Sequence, residues 1–360
     1  MIMLEPEAPG RRQRRIAGLT AWRYRRVPVP VALAVIVLSV AVTACGTSKS
    51  SSGETTQKAL TPVTFAVTGP SSAWDFLYVA QSAGLFAKNG IAVTIDSESD
   101  SAIVPGILSG SFQATPLISE GELAALAGQP MVNLMTVENR DDAGLAVDSG
   151  ITSISQLAGK TVVTGEAATG PYITLEELLA RNNLTGKVKI LSLQTNSAQQ
   201  TAFLSGQAQA LFVSYSNVVA AAAKLPGASI IVTPKQAGPI GGFAGLSVSR
   251  SYLQNHRGTV SDIIKSILEA VKFVQTEPTK TQAIFEKTFG FTKAQATLLY
   301  ADAKAINQLQ PVPTQTELTN DARAKSASLH KTITESQLAS TWETSLATQV
   351  YKQLNCPNVC

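Results

Sequence analysis

The sequence predicts an α/β protein in which one wound unit is used twice, followed by a mainly helical C-terminal region. Three observations carry that expectation. Strand and helix patterns alternate regularly from Val63 to Val219, the same order begins afresh near Ile151, and beyond the Gly-rich stretch Gly238–Gly245 the apolar residues fall at helical spacing. With 360 residues, 44% of them hydrophobic, the chain is long enough for two domains with real cores, which excludes disorder along its whole length.

Val63, Phe65 and Val67 alternate with polar residues as in a strand; Gly69-Pro70 turns the chain, and Ser71-Ser72 can cap a helix carrying Phe76, Leu77, Val79 and Ala80. A strand at Ile91–Ile95, a helix at Ile103–Leu108, a short element at Phe112–Leu117, a helix at Glu120–Ala127 and a strand at Met131–Val137 follow. The second round starts with a short helix at Ile154–Ala158 and a strand at Thr161–Thr164. It continues with a helix from Pro171 to Arg181, a strand at Val188–Leu193, a helix at Ala198–Leu204 and a strand at Ala208–Val213. Ile263, Ile264, Ile267, Leu268, Val271 and Val274 then form one apolar stripe, with two more expected at Ala294–Leu309 and Ser336–Leu354.

The formal charge of +4 does not describe the folded part. Seven arginines between Arg11 and Arg26 form a basic segment ahead of the apolar run Val27–Val42, which is too short for a span of about 20 residues but suits a secretory signal. The run ends in Val42-Thr43-Ala44-Cys45-Gly46, small residues before a cysteine that resemble the lipobox of bacterial lipoproteins. Residues 1–44 are therefore expected to be a signal peptide, with Cys45 lipidated and 45–61 a Ser/Thr/Gly-rich tether. Removing those seven arginines, Glu5 and Glu7 takes 29 basic and 25 acidic residues to 22 and 23, so the case for a nucleic-acid partner disappears. Cys356 and Cys360 read as a small terminal disulfide outside the cytoplasm, with a free or redox-active pair as the alternative; no His or third Cys lies near enough to complete a metal site.

Three stretches carry a family resemblance. Tyr78-Val79-Ala80 through Gly84-Leu85-Phe86 to Gly90-Ile91 resembles a signature of substrate-binding proteins from nitrate, taurine, alkanesulfonate and thiamine-precursor ABC transporters (the NMT1/THI5-like and SsuA/TauA-like family). Ile154-Ser155-Gln156-Leu157-Ala158-Gly159-Lys160 is similar to that family's entry into the second lobe. Leu108-Ser109-Gly110-Ser111-Phe112-Gln113-Ala114 and Leu204-Ser205-Gly206-Gln207-Ala208-Gln209-Ala210 both resemble its LxxGxxDa motif, with Gln113 and Gln209 where the family has Asp. The resemblance implies a type II periplasmic-binding protein fold, two wound α/β lobes joined by two crossovers, with 62–148 and 246–360 as the first lobe and 149–245 as the second. It also implies hinges near Ala146–Ile151 and Thr233–Gly245. The expected role is a lipid-anchored, extracytoplasmic, monomeric receptor handing a small molecule to an ABC permease and its ATPase, with no cofactor.

Ligands of open α/β sheets lie beyond the carboxyl ends of the strands, which selects the loops that follow them. The candidate ligand-binding residues are Ser71, Ser72, Trp74 and Asp75 after the first strand, then Ser119, Glu120 and Glu138, and on the second lobe Thr169, Gly170, Asn196, Ser214 and Tyr215. Trp74 can stack on a planar ligand and Asp75 can accept from an amine. The alternative is that Trp74 packs beneath the face between the lobes and Asp75 supports the helix start, just as the Ser and Thr residues can serve only as helix caps. Glu120 and Glu138 are ligand contacts or solvated loop charges. Arg140 is the one basic residue in these loops, which favours a neutral or amine-bearing heteroaromatic ligand over nitrate or sulfonate.

Enzyme signatures are missing: no G-x-S-x-G, H-E-x-x-H, P-loop or G-x-G-x-x-G occurs, and His256 and His330 sit among polar residues of the helical third. A related branch that makes thiamine pyrimidine uses an active-site His and a Cys-rich motif, which the matching loops here lack. A ligand-sensing or scaffold lipoprotein without a transport role is the remaining alternative.

Overall fold

The structure is a computed structural model and describes residues 59–167, 169–238 and 244–354. The expected signal peptide, the lipidated Cys45, most of the tether and the Cys356–Cys360 pair lie outside the described residues.

Ten strands are present among them: β1 Thr61–Val67, β2 Ile91–Ser97, β3 Thr115–Leu117, β4 Met131–Thr136, β5 Ala143–Val147, β6 Thr161–Thr164, β7 Lys189–Ser192, β8 Ala210–Ser214, β9 Ser229–Val232 and β10 Ala244–Ser249. In one lobe β1 and β2 pair in parallel and β3-β10-β4 pair antiparallel, the two groups meeting through a parallel bridge between Phe65 and Ala114. The order across this lobe is thus β2-β1-β3-β10-β4. The other lobe carries one sheet in the order β7-β6-β8-β5-β9. The two orders correspond strand for strand, including an antiparallel fourth strand that arrives from across the molecule: β10 in the first lobe and β5 in the second.

Three of these strands escape the sequence reading. β5 and β10 are buried on both faces, so they show no alternation, and each contains a glycine that reads as a loop residue. The glycines answer to packing: a Cβ on Gly245 would stand 2.0 Å from the Met135 carbonyl oxygen, and one on Gly144 would stand 2.8 Å from the Tyr215 ring. β9 is a four-residue edge strand. Because β5 belongs to the second sheet, the chain changes lobes at residues 137–142, ahead of the stretch Ala146–Ile151 where the hinge was expected.

Gln113 and Gln209, which replace the family's Asp, do identical local work in the two lobes. The Gln113 Oε1 accepts from the Thr64 N–H at 2.8 Å and its Nε2 donates to the Gly110 carbonyl at 3.2 Å. The Gln209 Oε1 accepts from the Thr161 N–H at 3.1 Å and its Nε2 donates to Gly206 at 3.3 Å. Each glutamine therefore ties the Gly turn of its motif to the neighbouring strand, and neither lines the cavity described below.

Most of the C-terminal helices cover the first lobe, while the helix Gln315–Ser328 packs on the second-lobe helix Gly170–Arg181, with Arg323 pairing Glu177 at 2.7 Å. On the helix Arg257–Thr276 the apolar stripe Val260, Ile263, Ile264, Ile267, Leu268, Val271 and Val274 is buried, packing on the helix Asp75–Ser82. Full burial of one such side chain contributes roughly 1.5–3 kcal/mol, which fixes this helix in place. The expected stripe at 336–354 is interrupted, forming helices at Glu335–Ala339 and Ser345–Gln353. No helix among the described residues is long and apolar enough to cross a membrane.

Candidate functional site

A cavity lies where the carboxyl ends of both sheets meet. From the first lobe it is lined by Thr68, Ser71 and Trp74 beyond β1, by Asp100 at the start of the helix Asp100–Ser109, by Pro116 and Leu117 of β3, and by Glu120 of the helix Ile118–Leu126. Asp141 enters from the crossover into β5. The second lobe supplies Gly165, Thr169 and Pro171 at the start of the helix Gly170–Arg181, Asn196 and Gln199 of the helix Asn196–Leu204, and Ser214 at the end of β8. About 50 Å³ is open to the centres of water-sized spheres, several times the ~10–15 Å³ that one water needs. An open groove bordered by Asp100, Glu120, Glu166 and Thr169 adjoins it.

A serine clasp closes the lobes beside this cavity. The Ser72 N–H donates to the Ser216 Oγ and the Ser216 N–H donates to the Ser72 Oγ, each at 2.8 Å. The Ser72 hydroxyl in turn donates to Asp142 Oδ2 at 2.6 Å, and Asn217 Nδ2 reaches the Pro70 carbonyl at 3.3 Å. Two residues from each side thereby bridge the turn after β1 and the start of the helix Tyr215–Lys224.

The site is acidic. Burial pushes the Asp100 carboxyl up to about 8, with Glu120 and Glu166 adding to the effect. Burial raises Glu120 to about 7, and raises Asp141 to about 7 despite the approach of Thr174 and the Ala143 N–H. Neither Asp141 oxygen makes a hydrogen bond of normal geometry, nor does the Gln199 Oε1. No Lys, Arg or His lines the cavity among the described residues. Arg140 instead reaches the Lys235 carbonyl at 3.4 Å. A second acidic group lies behind the crossover, where Asp75, Glu138, Asp142 and Asp302 come together. Burial holds Glu138 well above the usual carboxyl range, helped by Asp142, Asp75, Asp141 and Asp302. Burial raises Asp75 to about 7 and, with Asp302 beside it, lifts Asp142 well above its ordinary value. Asp142 and Asp302 stand within hydrogen-bond reach of each other, a contact that requires a shared proton.

Of the residues singled out in the sequence, Ser71, Trp74, Glu120, Thr169, Asn196 and Ser214 line the cavity. Trp74 is buried and its indole N–H already donates to the Gly69 carbonyl at 3.1 Å, so the cavity receives apolar ring surface from it. The others stand close by in different roles. Ser72 belongs to the clasp, Asp75 accepts from Asn307 Nδ2 at 2.8 Å, and Ser119 accepts from Lys325 Nζ at 3.4 Å. Glu138 is buried behind the crossover, Gly170 opens its helix, and Tyr215 packs against Gly144. Asp100, Asp141 and Gln199 were not singled out. Their sequence signal was only their place in or beside loops after strands, where an acidic residue resembles a solvated one.

Comparison with known proteins places this geometry in context. The NMT1/THI5-like family profile matches residues 73–281. Comparison with curated protein sequences finds no match. Among solved structures, the nitrate-binding protein NrtA of Synechocystis PCC 6803 superposes with a TM-score of 0.66 at 11% identity, covering 83% of this chain and 90% of that one. The aliphatic sulphonate-binding protein SsuA of Escherichia coli gives 0.59 at 14% identity, covering 78% and 91%. The ligand-binding component of an ABC-type import system from Staphylococcus aureus, solved with zinc bound, gives 0.66 at 11% identity, covering 81% and 99%. The fold is that of periplasmic binding proteins, with two wound lobes and a cavity between them, and the chain belongs to the NMT1/THI5-like family.

Proposed function

We propose that this protein is the extracytoplasmic solute receptor of an ABC importer, held on the membrane by a lipid on Cys45, and that it acts as a monomer. It captures a small molecule between its lobes and presents the closed form to a permease and its ATPase. The observation that carries this reading is the cavity itself, to which the carboxyl ends of both sheets contribute polar side chains beside a clasp joining the lobes. Closing the lobes through the crossover at 137–142 and the return beginning at Thr233 would be a hinge motion, since the chain passes there between the two sheets. Among nitrate-, sulfonate- and thiamine-precursor-like ligands, the lack of any basic lining residue among the described residues supports a donor-bearing molecule over the two anions. It also supports a receptor rather than an enzyme, as both histidines are exposed and remote from the cavity.

The test is small-angle scattering and thermal denaturation of residues 46–360 with a small-molecule library. A bound solute at 100 times its Kd adds about 2.7 kcal/mol of stability and should shrink the radius of gyration as the lobes close. Binding without any change in dimensions would contradict the receptor mechanism. Retention of the full-length protein in the detergent phase, lost on Cys45→Ala, tests the anchor.

A further inference from the structure

The cavity's charge and its unsatisfied acceptors go beyond a general preference for donors. Asp100 and Glu120 come from the first lobe and Asp141 from the crossover, while Trp74, Pro116 and Leu117 supply apolar surface. Asp141 is 5% exposed and Gln199 4%, yet the Gln199 Oε1 has no hydrogen-bond donor and Asp141, approached by Thr174 and the Ala143 N–H, receives no hydrogen bond of normal geometry; Asn196 Nδ2 is an unpartnered donor on the opposite side. Buried acceptors of this kind are costly unless something donates to them. The buried cation Lys325 near this region is spoken for: it pairs with Glu122 at 2.7 Å and with Asp321, and it does not line the cavity. Among the described residues no three His, Cys, Asp or Glu side chains are grouped to hold a metal ion.

We propose that the solute is a small organic cation, a guanidinium, amidinium or protonated amine on a compact apolar body, whose N–H donors bind Asp141, Glu120 and Asp100 together. This rests on the receptor reading above. Without ligand, burial keeps the three carboxyls partly protonated near neutral pH, and Glu166 beside Asp100 adds to that effect while Lys325 opposes it at Glu120. An arriving cation favours their ionised forms, so binding expels protons into solvent.

The experiment is isothermal titration and thermal denaturation at pH 7 with three probe sets. The cations are methylguanidine, acetamidine and propylamine; the neutral compounds are methylurea and acetamide; the anions are nitrate and methanesulfonate. The expected result is binding by a cation, with an observed heat that differs between phosphate and Tris buffers because protons are released. Glu120→Gln and Asp141→Asn should each weaken that binding at least tenfold while the variants remain folded. Failure of every cation to bind overturns the proposal, as does cation binding whose heat is the same in both buffers. Binding by an anion or a neutral compound alone overturns it while leaving the receptor reading intact, and silence from all three sets counts against both.

Discussion

Asp141→Asn removes a charge that the unliganded fold opposes, and the structure sets the size and sign of the effect. Burial raises the Asp141 carboxyl from 3.8 to about 7. The unfolded chain releases this proton near pH 4 while the folded chain holds it until about pH 7. Stability therefore falls as pH rises through that window and stays reduced above it. A shift of about three units corresponds to about 4 kcal/mol at pH 8, and to nothing below pH 4 where both states are protonated. Asparagine keeps the shape and carries no charge. The variant should match the parent at pH 4, exceed it progressively between pH 4 and 7, and melt higher at pH 8 by up to about 8 °C, at about 2 °C per kcal/mol. Denaturation by urea or heat at four pH values reads this directly; removing the Asp141 charge also relieves Glu138, which adds in the same direction. A constant difference at all pH values, or a loss of stability at pH 8, would refute the electrostatic account of Asp141.

Ser72→Ala removes a donor to Asp142 and an acceptor for the Ser216 N–H. It should cost about 1–3 kcal/mol and leave the solute-bound protein larger in small-angle scattering than the parent; equal dimensions would mean the clasp does not hold the closed lobes. Lys325→Met strands Glu122 and Asp321 in a buried pair and should lower urea stability by about 3–5 kcal/mol, whereas a loss under 1 kcal/mol would contradict the ion-pair assignment. Gln209→Ala should cost about 1 kcal/mol through the lost bonds to Thr161 and Gly206 and leave ligand affinity unchanged in titration, since the side chain is remote from the cavity.

The parts of the fold readable from sequence were those with one-sided burial. β1 alternates between core and solvent near its start, and the Arg257–Thr276 helix buries one stripe, so both show their period. β5 and β10 carry the crossing of the chain between lobes, yet every residue in them is buried, and a five- or six-residue run with a glycine has no period to read. The site shows the same divide. Trp74 and Glu120 were legible because they follow strands on the ligand side. Asp75, the residue after Trp74, opens the helix Asp75–Ser82 and turns toward Asn307, 232 residues later, a partner that no local pattern announces. Asp141 and Asp142 are adjacent and face different neighbours, one the cavity and the other Ser72 and Asp302. Sequence gives both the same appearance of an exposed acidic turn, and only the packing of the crossover against both lobes separates them.

The most direct test of a solute captured between the lobes is a crystal structure of the protein grown with the cation that most raises its melting temperature. The expected result is the ligand's nitrogen atoms within hydrogen-bond distance of Asp141 and Glu120, with Trp74 against its apolar part and second-lobe residues Asn196 or Gln199 completing the enclosure. A ligand bound elsewhere, or touching one lobe only, would contradict the account.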